Sequence, residues 1–189
     1  MRWDRLLGDL DGPLDAERRA EEALQASDLA AAERARVGLD ARFAAHAGAA
    51  HVGQTHLGAV HVVLADGTQL DGTVTDAGSG WFLLAAGSGR HLVRTAAVDV
   101  VRGLGVRART DDPAAGPSPR TATWASAVRA LATERALVDV HLRGRTLTGA
   151  VALVGADHLD VADPGGTPGS ARRTPWTVPF GAVLRISRR

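Results

Sequence analysis

One stretch of this chain is repeated later in the same chain. Residues 67–84 read GTQLDGTVTDAGSGWFLL, and residues 144–161 read GRTLTGAVALVGADHLDV. A second matching pair follows, with VRTAAVDVV at residues 93–101 and VPFGAVLRI at residues 178–186. In both copies apolar residues alternate with polar ones, and glycines fall at matching turns. An internal repeat of this kind predicts that the chain builds one supersecondary unit twice.

Each copy of the repeat predicts five short β-strands. In the first copy the alternation begins at Val60, and Asp66-Gly67 marks a tight hairpin. Glycine-rich turns at residues 78–80 and 87–89 separate the strands that follow. Short strands at this spacing are typical of a small barrel. We therefore predict a mainly β protein with helices, built from two tandem SH3-like or Sm-like five-stranded barrels, each preceded by a helix.

Helical patterns precede both copies. Residues 3–10 place apolar side chains on one helix face, and residues 15–46 are rich in Ala, Glu and Arg, with a loosening expected at Gly38. A helix of two to three turns is predicted after Trp124. The predicted organisation is a helical segment at 1–50, a first barrel at 51–107, a Pro-rich linker at 108–121, and a helix with the second barrel at 122–189.

The pattern VxVxLxDGxxLxG, followed by VxxxG and a terminal apolar hairpin, resembles the signature segments of Sm-like proteins. The resemblance covers Val60–Arg102 and Ala136–Arg188, about half of the chain. That family, which includes LSm subunits and the bacterial host-factor RNA chaperone, folds as a short helix and a strongly bent five-stranded barrel. Gly72 and Gly149 fit this fold, because a sharply bent sheet needs a position without a Cβ. The whole chain also resembles two-barrel proteins of GC-rich bacteria.

The resemblance does not extend to the RNA pocket of that family. Sm-like proteins that bind uridine-rich RNA carry Asp and Asn at the turn after the second strand. Here the only candidates are Asp76 and Asp157, and the chain contains no Asn. The turn before the last strand also lacks the Lys-His pair of the RNA chaperone. We therefore expect the barrel without the pocket.

Two clusters of basic and aromatic residues are the candidate nucleic-acid contacts. Both lie in or beside the loop before the final strand of a copy. Arginine can bind phosphate, and tryptophan can stack on a base. The alternative interpretation is a solvated loop with a tryptophan packed on the barrel rim. The candidates are Arg90, His91 and Arg94 in the first copy and Arg172, Arg173 and Trp176 in the second.

Several function classes find no support in the sequence. The chain has no cysteine, which excludes disulfides and thiolate catalysis. Four histidines recur every five residues, a spacing that gathers them on no single helix or strand face, so no metal site is predicted. Gly103–Ala108 matches a weak dinucleotide-binding pattern, but the prolines that follow oppose the helix it requires. These histidines are His46, His51, His56 and His61.

No catalytic motif is present, so we predict neither an enzyme nor a cofactor nor a small-molecule substrate. The formal charge of +1 gives no global basic field. No apolar run suggests a signal peptide or a membrane span, so a cytoplasmic protein is predicted. Two hypotheses follow. The chain is either an RNA-associated protein acting through the basic loop faces, or an interaction scaffold that uses barrel edges and the N-terminal helix to bind other chains or itself.

Overall fold

The computed structural model describes residues 3–51, 58–105, 122–162 and 174–189. The predicted linker at 108–121 lies outside these described residues. Contacts divide the chain into two compact units, Met1–Val37 and Gly38–Arg189. The helical pattern at the N-terminus is therefore divided next to Gly38, the position at which the sequence suggested a loosening.

The first unit contains helix α1, Trp3–Ala35. From residue 18 to residue 32 every side chain that the structure describes is exposed, including Leu24 and Leu29. The helix ends in a short turn, where the Val37 N–H donates to the carbonyl oxygen of Arg34 at 3.2 Å. Residues 18–32 of this helix therefore present no buried apolar face.

The second unit contains two further helices and all ten described strands. The helices are α2, Leu39–His51, and α3, Trp124–Thr133. The first five strands are β1 Val60–Leu64, β2 Gln69–Gly78, β3 Trp81–Ala86, β4 Gly89–Arg94 and β5 Val98–Arg102. The second five are β6 Leu137–Leu142, β7 Arg145–Val154, β8 His158–Ala162, β9 Trp176–Pro179 and β10 Val183–Arg188.

All ten strands form one antiparallel sheet in the order β5-β1-β2-β3-β4-β10-β6-β7-β8-β9. We call β1–β5 the first half-sheet and β6–β10 the second half-sheet. Their internal orders correspond, since each final strand pairs with the first strand of its own half-sheet. The prediction of a mainly β protein with helices is confirmed.

Local details repeat between the half-sheets. A single turn of 3-10 helix precedes each final strand, at Thr95–Ala97 and at Phe180–Ala182. Gly72 and Gly149 lie on matching long strands, and a Cβ at either position would overlap the carbonyl oxygen of Ala85 or Ala162 on the next strand. Both positions therefore require glycine for the close approach of two backbones.

Each half-sheet covers its own apolar core, and one helix packs against each core. In the first, the ring of Phe43 on α2 stacks on Phe82 of β3 with centroids 3.9 Å apart. In the second, Trp124 and Val128 of α3 belong to the cluster of buried apolar residues. The Thr123 hydroxyl caps the start of α3 by accepting from the Ser126 N–H at 3.3 Å.

Candidate functional site

The two half-sheets meet where β4 pairs with β10, a region we call the joint. Leu92 lies opposite Ile186, and its neighbours Val93 and His91 lie opposite Arg185 and Ser187. The joint therefore joins the outer edge of the fourth strand in one half-sheet to the outer edge of the last strand in the other. It is an edge-to-edge contact formed within a single chain.

Side chains cross the joint in both directions. Leu92 of β4 is 5% exposed and belongs to the core of the second half-sheet. Leu184 of β10 is 3% exposed and belongs to the core of the first half-sheet. Complete burial of a leucine contributes about 1.5–3 kcal/mol. Because each half-sheet buries a leucine in the core of the other, the pairing of β4 with β10 is stabilised by core contacts.

A polar cluster lies beside these leucines. The Arg185 guanidinium donates to Nδ1 of His91 at 2.8 Å, which leaves the proton of the neutral His91 ring on Nε2. His141, opposite Arg185 on β6, bonds to the Ser187 hydroxyl at 3.0 Å through Nε2 and to the Thr146 hydroxyl at 3.1 Å through Nδ1. Burial lowers the pKa of both histidines, and the charge of Arg185 lowers each pKa further. Both rings are accordingly neutral at pH 7.

Arg94, a predicted nucleic-acid contact, is half-buried and reaches across to the second half-sheet. Its guanidinium donates to the carbonyl oxygen of Phe180, in the 3-10 turn before β10. It also lies over the ring of Trp124, 5.9 Å from the centroid. From a strand of the first half-sheet, Arg94 thus contacts the turn that leads into β10 and the helix α3.

The other predicted contacts are not brought together. Arg90 is exposed on β4 beside His91, whereas Trp176 is on β9, with four strands of the sheet between them. Trp176 is 55% exposed, and the Arg145 guanidinium lies 5.3 Å from its ring centroid. Arg172 and Arg173 lie outside the described residues. The assignment of these residues to nucleic-acid binding stays a prediction.

The outer edge of β9 corresponds to the β4 edge of the joint, because Val178 aligns with Val93. The Phe180 N–H donates to the Asp157 carbonyl at 2.7 Å, and hydrogen-bonded residues alternate along an antiparallel strand. The backbone groups of Val178 therefore face β8, and those of Thr177 and Pro179 face outwards. Pro175 lies two residues before Thr177, so its backbone faces the same way. The residues of β4 that correspond to Pro175, Thr177 and Pro179 are Arg90, Leu92 and Arg94. Two of these three positions, Pro175 just before β9 and Pro179 at its end, therefore lack an N–H.

The outer edge of β5 corresponds to the β10 edge of the joint. Val101 matches Ile186, and both lie opposite the matching valine of a first strand, Val62 or Val140. The Arg189 N–H donates to the Leu137 carbonyl at 3.1 Å, so the alternation of the ladder turns the backbone groups of Ile186 away from β6. By correspondence, the backbone groups of Val101 face away from β1. Among the described residues no strand pairs with this side of β5.

The side chains of β5 are more polar than those of β10. Asp99 stands where β10 has Leu184, and it is exposed. Val100 is 58% exposed, about as much as Trp176 of β9 at 55%. This difference is visible in the sequence, although it forms part of no recognised motif. In the alignment of the two copies, Leu92 corresponds to Thr177 and Leu184 corresponds to Asp99. In each pair the apolar residue is the one that lies at the joint.

In the part of the chain that the structure describes, no group of three or more His, Asp or Glu side chains could hold a metal ion. None of the described helices combines the length and apolar character needed to span a membrane. No protein-family model matches this chain, and no curated protein is a significant match to it. The joint and the outer edges of β5 and β9 are therefore the features that bear on function.

Proposed function

We propose that this protein is a non-catalytic scaffold of two tandem SH3-like barrels, which binds other protein chains through a barrel edge and the N-terminal helix. Support for two barrels comes from the five-strand order that occurs twice, with a separate core and a packed helix for each half-sheet. The close backbone approach at Gly72 and Gly149 supports the sharp bend that a small barrel needs.

The observation that carries the interaction role is the unpaired side of β5. Edge strands present free N–H and C=O groups that template the addition of another strand, and proteins commonly protect them with prolines. β5 has no proline, and Val100 beside the edge is exposed. The exposed Leu24 and Leu29 on α1 offer a second contact surface.

The test is photo-crosslinking in cells of the source organism, with a photoreactive side chain placed singly at Val100, Leu29 or Leu153. Leu153 is the matched control, because it is 50% exposed but lies on β7, which has a strand on either side. We expect discrete protein adducts at Val100, Leu29 or both that are absent at Leu153. Adducts that are identical at all three positions, or missing from all three, would contradict the scaffold function.

A second candidate function, RNA association, is favoured by the exposed Trp176 ring with Arg145 above it. A base that stacks on an exposed aromatic contributes about 1–3 kcal/mol. In this case the purified protein carries nucleic acid, and its binding of single-stranded RNA falls steeply between about 50 and about 200 mM salt. Trp176→Ala weakens that binding and Leu153→Ala does not. Equal binding by the two variants would exclude this use of Trp176.

A further inference from the structure

We propose that the outer edge of β5 accepts an extended strand from another protein, running antiparallel and placing an aliphatic side chain opposite Val101. This inference rests on the proposed scaffold function and deepens it by naming the edge and the chemistry of the partner.

The joint is the template for this contact. At the joint, the incoming strand β4 places Leu92 opposite Ile186, and the Leu92 side chain completes the core of the second half-sheet. Val101 is the counterpart of Ile186 and packs against the core of the first half-sheet. In the described residues no side chain stands opposite Val101 from outside. An aliphatic residue placed there extends the first core in the way that Leu92 extends the second.

The β5 edge is held in position before any strand arrives. The Arg42 side chain on α2 donates from Nε to the Gly105 carbonyl and from Nη2 to the Leu104 carbonyl, each at 3.1 Å. Gly103 has φ of 88° and lies so close to Ala59 that a Cβ there would meet the Ala59 carbonyl oxygen. An edge fixed at its end loses little conformational freedom when a strand is added.

A second copy of this chain is a poorer occupant than another protein. Its β9 edge would be the counterpart of β4, but Pro175 and Pro179 remove two N–H groups from it, and Thr177 replaces the core-filling Leu92. A second β5 edge would place its own Val101 at the contact. That side chain already packs against the core of its own half-sheet, so it cannot fill the neighbouring one.

The test uses the full chain and a synthetic peptide with the sequence of residues 88–96, SGRHLVRTA, which copies β4. The control peptide is identical except for an N-methyl group on the leucine, which removes one N–H and keeps the side chain. We expect saturable binding of the first peptide that is at least about tenfold tighter than that of the control, because one ladder hydrogen bond is lost. Hydrogen exchange should show new protection at the Val101 amide.

Two variants of the protein locate the contact. Val101→Asp places a charge where the aliphatic side chain should pack, so it should weaken peptide binding at least about tenfold. Leu153→Asp adds the same charge at a half-exposed position of β7, which has a strand on either side, and should leave binding within about twofold. Because the N-methyl comparison uses the unaltered protein, a folding defect in Val101→Asp does not remove the test.

Several outcomes overturn the proposal. These are equal affinity for the two peptides, absence of saturable binding, or binding that gives no new protection at the Val101 amide. A dimer of the full chain that Val101→Asp dissociates would identify a second copy as the occupant. If the peptide fails while crosslinks at Val100 or Leu29 persist, the scaffold function stands and strand addition at β5 is wrong.

Discussion

The outer edges of β10 and β5 occupy corresponding positions, yet among the described residues the β10 edge pairs with β4 while the outer edge of β5 has no partner strand. Their backbones offer equivalent outward groups, at Ile186 in one and at Val101 in the other. The side chains differ, because β10 sends Leu184 into the neighbouring core while β5 carries an exposed Asp99 at that place. Since the backbone groups are the same, the side chains decide which strand fits each edge. β4 fits β10 because Leu184 enters the core of its half-sheet, whereas a strand added to β5 meets the exposed Asp99 and must supply the aliphatic side chain itself.

Making the joint resemble the open edge should have the largest effect. Leu184→Asp copies the residue of β5 into β10 and buries a carboxylate in the first core. We expect the free energy of unfolding to fall by about 3–5 kcal/mol, measured by urea denaturation followed through tryptophan fluorescence. Leu153→Asp, at a half-exposed site, should change it by less than about 0.5 kcal/mol. Similar losses in both variants would show that the Leu184 exchange does not stabilise the joint.

Removing the Arg94 side chain should have the next largest effect on the free energy of unfolding. Arg94→Ala removes the donor to the Phe180 carbonyl and the contact with Trp124. We expect a loss of about 1–3 kcal/mol in the free energy of unfolding, since hydrogen bonds to charged groups are the stronger ones. The control Arg90→Ala, at an exposed position of the same strand, should stay within about 0.5 kcal/mol. If Arg94→Ala leaves stability unchanged but abolishes RNA binding, Arg94 is a nucleic-acid contact and not a link across the joint.

Making the β9 edge resemble β4 should have a smaller effect. The triple variant Pro175→Arg, Thr177→Leu and Pro179→Arg restores the missing N–H groups and the apolar side chain. Copies of the variant should then associate head to tail through β9 and β5, so that the mass from light scattering rises with protein concentration. The control is Thr177→Leu alone, which keeps both prolines. Equal association of the two variants would show that the prolines do not protect this edge.

Lowering the pH should loosen the joint by a modest amount. The pKa values of His91 and His141 lie below the ordinary 6.5 because of burial and the charge of Arg185, while Asp139 and Asp66 partly oppose the shift at His141. The unfolded chain therefore takes up protons first, so the contribution to stability is complete above pH 6.5 and is lost as the pH falls through that value.

The measurement is the melting temperature between about pH 8 and about pH 5, because this range spans the titration of histidine. The double variant His91→Gln and His141→Gln should show a shallower dependence on pH than the unaltered chain. His46, whose pKa is also lowered by burial, supplies the part that the double variant retains. Identical pH profiles would mean that the two histidines of the joint do not control its stability.

Local patterns in the amino-acid sequence were enough to predict the strands, the turns and the repeat. Alternation of apolar residues, the Asp66-Gly67 turn, and the need for glycine at positions 72 and 149 are local properties that a short window of sequence expresses. The predicted contacts could be named by residue type for the same reason. Their partners could not be named, because Arg94 bonds to a carbonyl 86 positions away and His91 to an arginine 94 positions away.

Which strand edge pairs with which other edge follows only from the folded sheet. Two half-sheets with nearly the same strand pattern offer four outer edges, at β4, β5, β9 and β10, and periodicity does not rank the possible pairs. The pairing of β4 with β10 depends on Leu92 and Leu184 entering cores formed by residues that are distant in sequence. Core burial is a property of the assembled sheet, so the joint and the open side of β5 follow from packing and not from local pattern.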